Sequence, residues 1–171
     1  MMPKRHKRDE EKVFVGVDPG KTGGLCVICT DGTIQYSKMP PTERDIWGWF
    51  DSLLMKFGVI DFAYIEKVHA MPGQGVTSMF SFGQNYGFLR ACLIAAEIPF
   101  NEATPRTWQK QLDIPAKPKA MSKPDHKLVL LAKAQQLFPQ EELWKEPRSK
   151  GKQLAVCDAI LLAEFCRRIH K

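Results

Sequence analysis

The sequence predicts a single α/β domain, a five-stranded mixed sheet flanked by helices. Three observations carry this expectation. The runs "VFVGVD", "GLCVICT" and "TIQYSKM" follow one another closely near the N-terminus, and Thr30-Asp31-Gly32-Thr33 between the last two carries the Asp-Gly signal of a hairpin. Strand-like "DFAYIEKV" and "IPFNEAT" then alternate with stretches of helical period, and hairpin strands followed by β-α-β alternation give a mixed sheet with helices packed on it. Finally, 171 residues suffice for one domain with a real core and are too few for two large lobes.

In chain order, residues 1–12 ("MMPKRHKRDEEK") are expected to form a disordered basic tail, leaving 13–171 as the domain. The charged start argues against a secretory signal, and no apolar run reaches bilayer-crossing length. Over 42–57 the residues Ile46, Trp47, Phe50, Leu53, Leu54 and Phe57 recur with helical period until Gly58 stops them. A strand over 61–68, a Gly/Pro loop over 69–76 and a long helix over 77–97 follow. After "IPFNEAT", Thr104-Pro105 starts a short helix over 105–112. A basic, Pro-broken loop over 115–124 precedes helices over 125–137 and about 153–169. Of five cysteines, Cys26 and Cys29 form a C-x-x-C, but on a strand their side chains point to opposite faces. No second Cys or His pair completes a zinc site, so reduced, structural thiols in a cytosol-like compartment are expected.

The net charge of +6 is unevenly placed. Residues 13–102 hold 6 Lys/Arg against 9 Asp/Glu, whereas residues 103–152 hold 11 against 5. Positive charge gathered in one stretch suits a polyanionic partner; the alternative is a solvated lysine-rich face. Lys110, Lys117, Lys119, Lys123 and Lys127 border the basic loop. Ammonium groups there would neutralise phosphates, and one near a scissile bond would stabilise developing charge.

The stretch "VFVGVDPGKTGG" admits several readings. Gly20-Lys21-Thr22 ends like a P-loop, but G-x-x-x-x-G-K-[ST] needs Gly at position 15, which is Val15. Asp18-x-Gly20-x-Thr22 also fits the phosphate turn of actin-like and sugar-kinase ATPases, against which stand the chain length and the lack of a second such turn. Asp18-Pro19-Gly20 is equally an ordinary turn. What singles out Asp18 is its place at the end of an apolar strand, matched by Glu66 at the end of "AYIE". A carboxylate there is costly unless paired or holding a cation. If the strands are parallel neighbours, both acids sit at the carboxyl edge, where α/β sheets keep their sites. Asp158 is the third candidate, flanked by Val156, Cys157, Ala159 and Ile160 in an apolar helix. One buried acid is commonly structural, but three point to a metal site. Mg²⁺ takes carboxylate and phosphate oxygens, and two such ions about 3.5–4 Å apart clamp both oxygens of an in-line phosphoryl displacement.

The order of motifs resembles RuvC-type Holliday-junction resolvases, in particular the phage and organellar branch. It runs strand-Asp-Pro-Gly, "YIEKV" before a helix, "PRTWQKQL", a lysine-bearing helix ending in "LFP", and helix-borne "CDAILLAE". The likeness covers roughly residues 13–168. It implies an RNase H-like fold and Mg²⁺-dependent cleavage, with Mn²⁺ able to substitute. The implied substrate is four-way DNA junctions in recombination and repair, cut in pairs by a homodimer. It also implies the cytoplasm of a bacterial or phage-infected cell rather than an organellar matrix. By position, Asp18, Glu66 and Asp158 match the metal-binding acids, and Lys110 and Lys123 lie where the family has active-site lysines. His69, Met71 and Gln74 lie where relatives insert into the junction centre, and Lys67, Arg106, Lys117, Lys119 and Lys127 fall among the DNA contacts. There is one departure. The family places a further acid or histidine three to five residues before the last acid, and here those positions are Ala155, Leu154 and Gln153. Gln153 offers only an amide oxygen, which keeps open a second reading: a junction-binding protein of the same fold with weak or lost cleavage.

In the helix over 77–97, Gly83, Gly87, Ala91 and Ala95 form a stripe at four-residue spacing. Each Gly costs a helix about 1 kcal/mol relative to Ala, so a close approach is expected as compensation, to a second subunit or to the chain's own sheet. Phe82, Tyr86, Leu89, Leu93 and Ala96 already read as the core face, which favours a dimer. His126 and His170 read as ordinary surface residues.

Overall fold

The computed structural model describes residues 11–68, 73, 75–143 and 150–171, with the backbone alone for 150–153. Most of the expected tail (residues 1–10) and His69, Met71 and Gln74 lie outside the described residues, as does the side chain of Gln153.

Five strands form one mixed sheet: β1 (Val13–Asp18), β2 (Gly24–Cys29), β3 (Ile34–Lys38), β4 (Phe62–Glu66) and β5 (Phe100–Ala103), in the order β3-β2-β1-β4-β5. The first three are antiparallel neighbours, while β1, β4 and β5 run parallel. The hairpin between β2 and β3 closes as its sequence requires. Gly32 takes φ 92°, and the Asp31 carboxylate accepts from the Thr33 amide at 2.7 Å.

Among the described residues there are five helices, three of which open on side-chain caps written in the chain. In α1 (Glu43–Phe57), Thr42 Oγ1 accepts from the Asp45 amide and Gly58 ends the helix at φ 74°. Next come α2 (Val76–Ala95) and α3 (Pro105–Gln111), the latter capped by Thr104. α4 (Lys123–Leu137) starts earlier than the expected 125, because Ser122 caps the Asp125 amide and Pro124 sits in the first turn. There a missing N–H costs nothing, so this proline initiates a helix rather than breaking a loop. α5 (Lys150–His170) closes the chain.

The sheet separates two cores. Val13, Val15 and Val17 face one way with Leu25, Val27 and Cys29, and are covered by α1 and α2. Cys26 and Ile28 face the other way, beneath α3, α4 and α5. Cys26 and Cys29 thus sit on opposite faces, and the five cysteines are buried thiols without disulfides. α5 lies between the sheet and α4, so every residue from Val156 to Cys166 is buried; a helix apolar all round belongs in such a place.

Two glycines set how closely α5 approaches. A Cβ on Gly16 would fall 2.2 Å from the Ala159 carbonyl oxygen and 2.3 Å from the Ala163 nitrogen. One on Gly24 would fall 2.9 Å from the Ala155 carbonyl oxygen. On α2 the small-residue stripe does the opposite. Gly83 and Gly87 have nothing within 4 Å of a Cβ, and Ala91 and Ala95 are exposed, so it does not pack on the chain's own sheet. Tyr86, Leu89, Leu93 and Ala96 face the core as expected, joined by Cys92, whereas Phe82 turns toward Gly20 instead.

Gly16→Ala forces the backbones of β1 and α5 apart, so its cost should reach the top of the overpacking range, about 3 kcal/mol. Gly48→Ala, where a Cβ meets open space in mid-α1, should stabilise by up to about 1 kcal/mol. Urea titrations of the two variants check both; an unaffected Gly16→Ala protein would refute the close approach.

Candidate metal centre and cleft

The parallel register pairs Val17 with Ile65, so the next residues, Asp18 and Glu66, stand side by side at the carboxyl ends of β1 and β4. Strand alternation places Asp18 on the same face as Gly16, against α5. There Asp158 meets it. One carboxylate oxygen from each of Asp18, Glu66 and Asp158 lies within 4.8 Å of the others. Asp18 and Asp158 are buried, and Glu66 is part-buried.

The turn after Asp18 is fastened from outside. Gly20 takes φ 100°, and its amide donates to Asn85 Oδ1 of α2 at 2.7 Å. Gly23 closes the turn on the Gly20 carbonyl at 3.0 Å. Lys21 and Thr22 are exposed and the Gly20 amide is already bonded, so this turn offers no phosphate cradle. Glu66 is oriented by α3, whose Trp108 Nε1 donates to Glu66 Oε2 at 3.1 Å. Asp158 receives the Lys127 ammonium of α4 on Oδ2 and the Cys157 thiol on Oδ1.

Electrostatics follow from crowding. Burial, then the charges of Asp158 and Glu66, push Asp18 well above the usual carboxylate range against the pull of Lys127. Burial and Asp158 push Glu66 up to about 7, opposed by the Trp108 bond and Lys127. Burial works to lower the Lys127 value, but Asp158 and Asp18 outweigh it and hold the ammonium charged. When ionised, three carboxylates facing one ammonium carry an excess of negative charge, and hard oxygen donors in such a cluster suit Mg²⁺ or a similar divalent ion. The residues present therefore fit a metal.

The cluster opens into a cleft of about 810 Å³ whose lining includes Glu66, Asp158, Lys67, Lys117, Lys123, His126 and Lys127, with Met79, Phe82 and Trp108 as apolar wall. Lys67 also pairs with Glu102 at 3.8 Å, and Lys117 Nζ donates to the Met121 carbonyl at 2.6 Å. Arg106, Lys110 and Lys119 are exposed and stand outside that lining. Of the two lysines matched to active-site positions, Lys123 reaches the cleft and Lys110 does not. Leu154, one of the positions at which the resemblance implies a further acid, is part-buried against the core.

Several residues were not anticipated. His126 is no ordinary surface residue: it is a part-buried cleft wall, lowered first by burial. His170 stacks on Phe62 at 3.9 Å between ring centres. Lys127, expected only at DNA phosphates, reaches the acids themselves. Its spacing to Leu130, Leu131 and Ala134, all buried, marks the inward face of α4 and was the available signal. Glu164 is a second buried acid on α5, satisfied by Arg167 and Arg168 at 2.7 and 2.8 Å. Asp158 has Leu161 and Leu162 at the equivalent spacings, so its cation must come from elsewhere.

No family model matches the sequence, and no curated protein matches it. Among solved structures the chain is similar to RuvC of Thermus thermophilus in complex with a Holliday-junction substrate. The identity is 16%, over 93% of this chain and 96% of that one, with a TM-score of 0.56. A second structure of Thermus thermophilus RuvC matches at 16% identity over 92% and 96%, with a TM-score of 0.53. This chain has the RuvC-like fold. On that RNase H-like framework, the three acids occupy the carboxyl edge of the central parallel pair.

A carboxyl with a raised folded value keeps its proton where the unfolded chain has lost it, so stability falls as pH rises between the two values. Without divalent ions, thermal stability should fall from about pH 4.5 to about 7, the window set by Glu66. Glu66→Gln should flatten that fall and Mg²⁺ should offset it in the parent protein. Melting curves in chelator that rise with pH over this window would contradict the charge crowding.

Proposed function

We propose that this protein is a Mg²⁺-dependent, structure-selective endodeoxyribonuclease that resolves four-way DNA junctions by paired phosphodiester hydrolysis. The observation that carries this reading is the convergence of Asp18, Glu66 and Asp158 within 4.8 Å, at the floor of a lysine-walled cleft on a RuvC-like fold. The motif order of the sequence favours the phage and organellar branch and a role in recombination and repair, in the cytoplasm of a bacterial or phage-infected cell.

Asp18, Glu66 and Asp158 would hold the ion, which when bound supplies an activated water and charge neutralisation at the scissile phosphate. The chain's own part is positioning. Trp108 fixes the Glu66 carboxylate, and the Asn85 bond to Gly20 fixes the turn that aims Asp18. Lys117 and Lys123 on the wall neutralise backbone phosphates and make binding salt-dependent. Asp18→Asn removes one ligand and one negative charge facing DNA. It should reduce cleavage of a labelled junction in Mg²⁺ to background and leave junction binding equal or tighter. Retained cutting in that variant would refute the site assignment.

A second reading, a junction binder without cleavage, is favoured by one observation, the apolar Leu154 and Ala155 where a further acid would stand. Cutting of a four-way junction by the parent protein in Mg²⁺ or Mn²⁺ rejects it.

Two cuts call for two sites, and α2 offers the face for a homodimer. Beside Gly83, Gly87, Ala91 and Ala95 it exposes Val76, Phe80 and Ile94 at 86%, 67% and 65%, an apolar surface of the kind that marks an interaction site. Gly87→Leu should yield a folded monomer that nicks one strand and fails to cut the opposing strand in concert. Light scattering that finds this variant dimeric would place the interface elsewhere.

A further inference from the structure

We propose that Lys127 supplies the second positive charge of the acidic cluster, so that each site takes one divalent cation and the lysine ammonium does the work of another. This rests on the metal-dependent reading of the cluster above.

A pair of divalent ions calls for enough carboxylate charge to hold both ions against their mutual repulsion. Among the described side chains, α5 contributes Asp158 alone: Leu154 packs on the core and Ala155 carries no donor. Glu164, the other buried acid of α5, is engaged by Arg167 and Arg168. Meanwhile a cation from the protein is already present. Lys127 Nζ sits on Asp158 Oδ2, and the Lys127 charge also acts on Asp18 and Glu66. Three carboxylates, one ammonium and one divalent ion sum to zero charge; a second divalent ion would leave the site strongly positive beside a held lysine.

Lys127 is built for this place rather than passing through it. It lies on the inward face of α4, a turn before Leu130 and Leu131, and that helix is fixed by the Ser122 cap and packing on α5. Its side chain is 38% exposed and that of Asp158 9%, so the ammonium stands at the boundary between buried acids and the open cleft. A phosphate entering the cleft would meet it directly. An ammonium there can neutralise charge developing on a phosphate or leaving oxygen without binding a further ion.

Metal titration of the full chain tests this without reference to cleavage. Mn²⁺ followed by electron paramagnetic resonance or calorimetry should bind to the parent protein at one ion per chain. Lys127→Gln should bind a second ion, or bind the first at least tenfold more tightly, while losing at least tenfold of its junction cleavage at Mn²⁺ levels that saturate the parent. Lys127→Arg should keep one ion per chain. Two tight Mn²⁺ ions per parent chain would overturn the proposal, a result that needs no variant to fold. So would Lys127→Gln with parental Mn²⁺ binding, or with tighter binding and undiminished cleavage, which would make the lysine a counterion displaced by metal. Parental Mn²⁺ binding that responds to Lys127 as stated, with no cutting of branched DNA, would refute the nuclease reading and support the charge assignment.

Discussion

The packing of α5 against β1 across Gly16 is the contact on which the rest of the site depends. A helix normally stands off a sheet by the length of its side chains. Here the β1 position facing Ala159 and Ala163 has no side chain, and Ala159 and Ala163 are themselves small. The helix sinks until backbone nearly meets backbone, and Asp158 is carried to the level of Asp18 and Glu66. The cluster therefore follows from a steric arrangement made beside it, at Gly16 two residues before Asp18 and at Ala159 next to Asp158. The same descent buries α5 on every side, which is why its sequence is apolar where no ligand or ion pair is needed.

Burial gives the acids their character. In water three carboxylates would be ordinary and separately hydrated. Inside the fold, desolvation raises Asp18 and Glu66 and mutual repulsion raises them further. Neighbouring elements each offset a part: Trp108 from α3 binds Glu66, and Lys127 from α4 binds Asp158. The contrast with Glu164 is instructive, because that acid finds both of its cations on its own helix and needs nothing from the cleft. A buried acid whose own element supplies no partner is the one held open for something else.

Much of this was readable from the chain. Strand-terminal Asp18 and Glu66 and the alternation of elements gave the sheet, its parallel centre and the acidic edge, because strand period and burial cost act locally. The fifth strand, the caps of α1 and α3 and the core face of α2 were also correct in outline. What escaped was long-range. Pro124 looks like a breaker in the sequence, although Ser122 before it makes a helix start. The sequence places Lys127 at DNA phosphates and His126 on the surface, since nothing in a single helix reveals that α4 lies over α5. Gly16 has no role in the motifs of the sequence, and only the docked helix gives it one. An isolated glycine inside an apolar strand is itself a sign of close backbone approach, and read that way it would have indicated where the last helix docks.

The bond from the Gly20 amide to Asn85 has a consequence for motion. Asn85 lies on α2 between Gly83 and Gly87, so the helix that presents the small-residue stripe to solvent also grips the loop next to Asp18. The strut is short, 2.7 Å from atom to atom, and Phe82 one turn away leans on the same glycine. A shift of α2 along or about its axis is thus a pull on the turn that carries the Asp18 carboxylate. Whatever settles on the outer face of that helix presses on a lever whose short arm ends at the carboxylates.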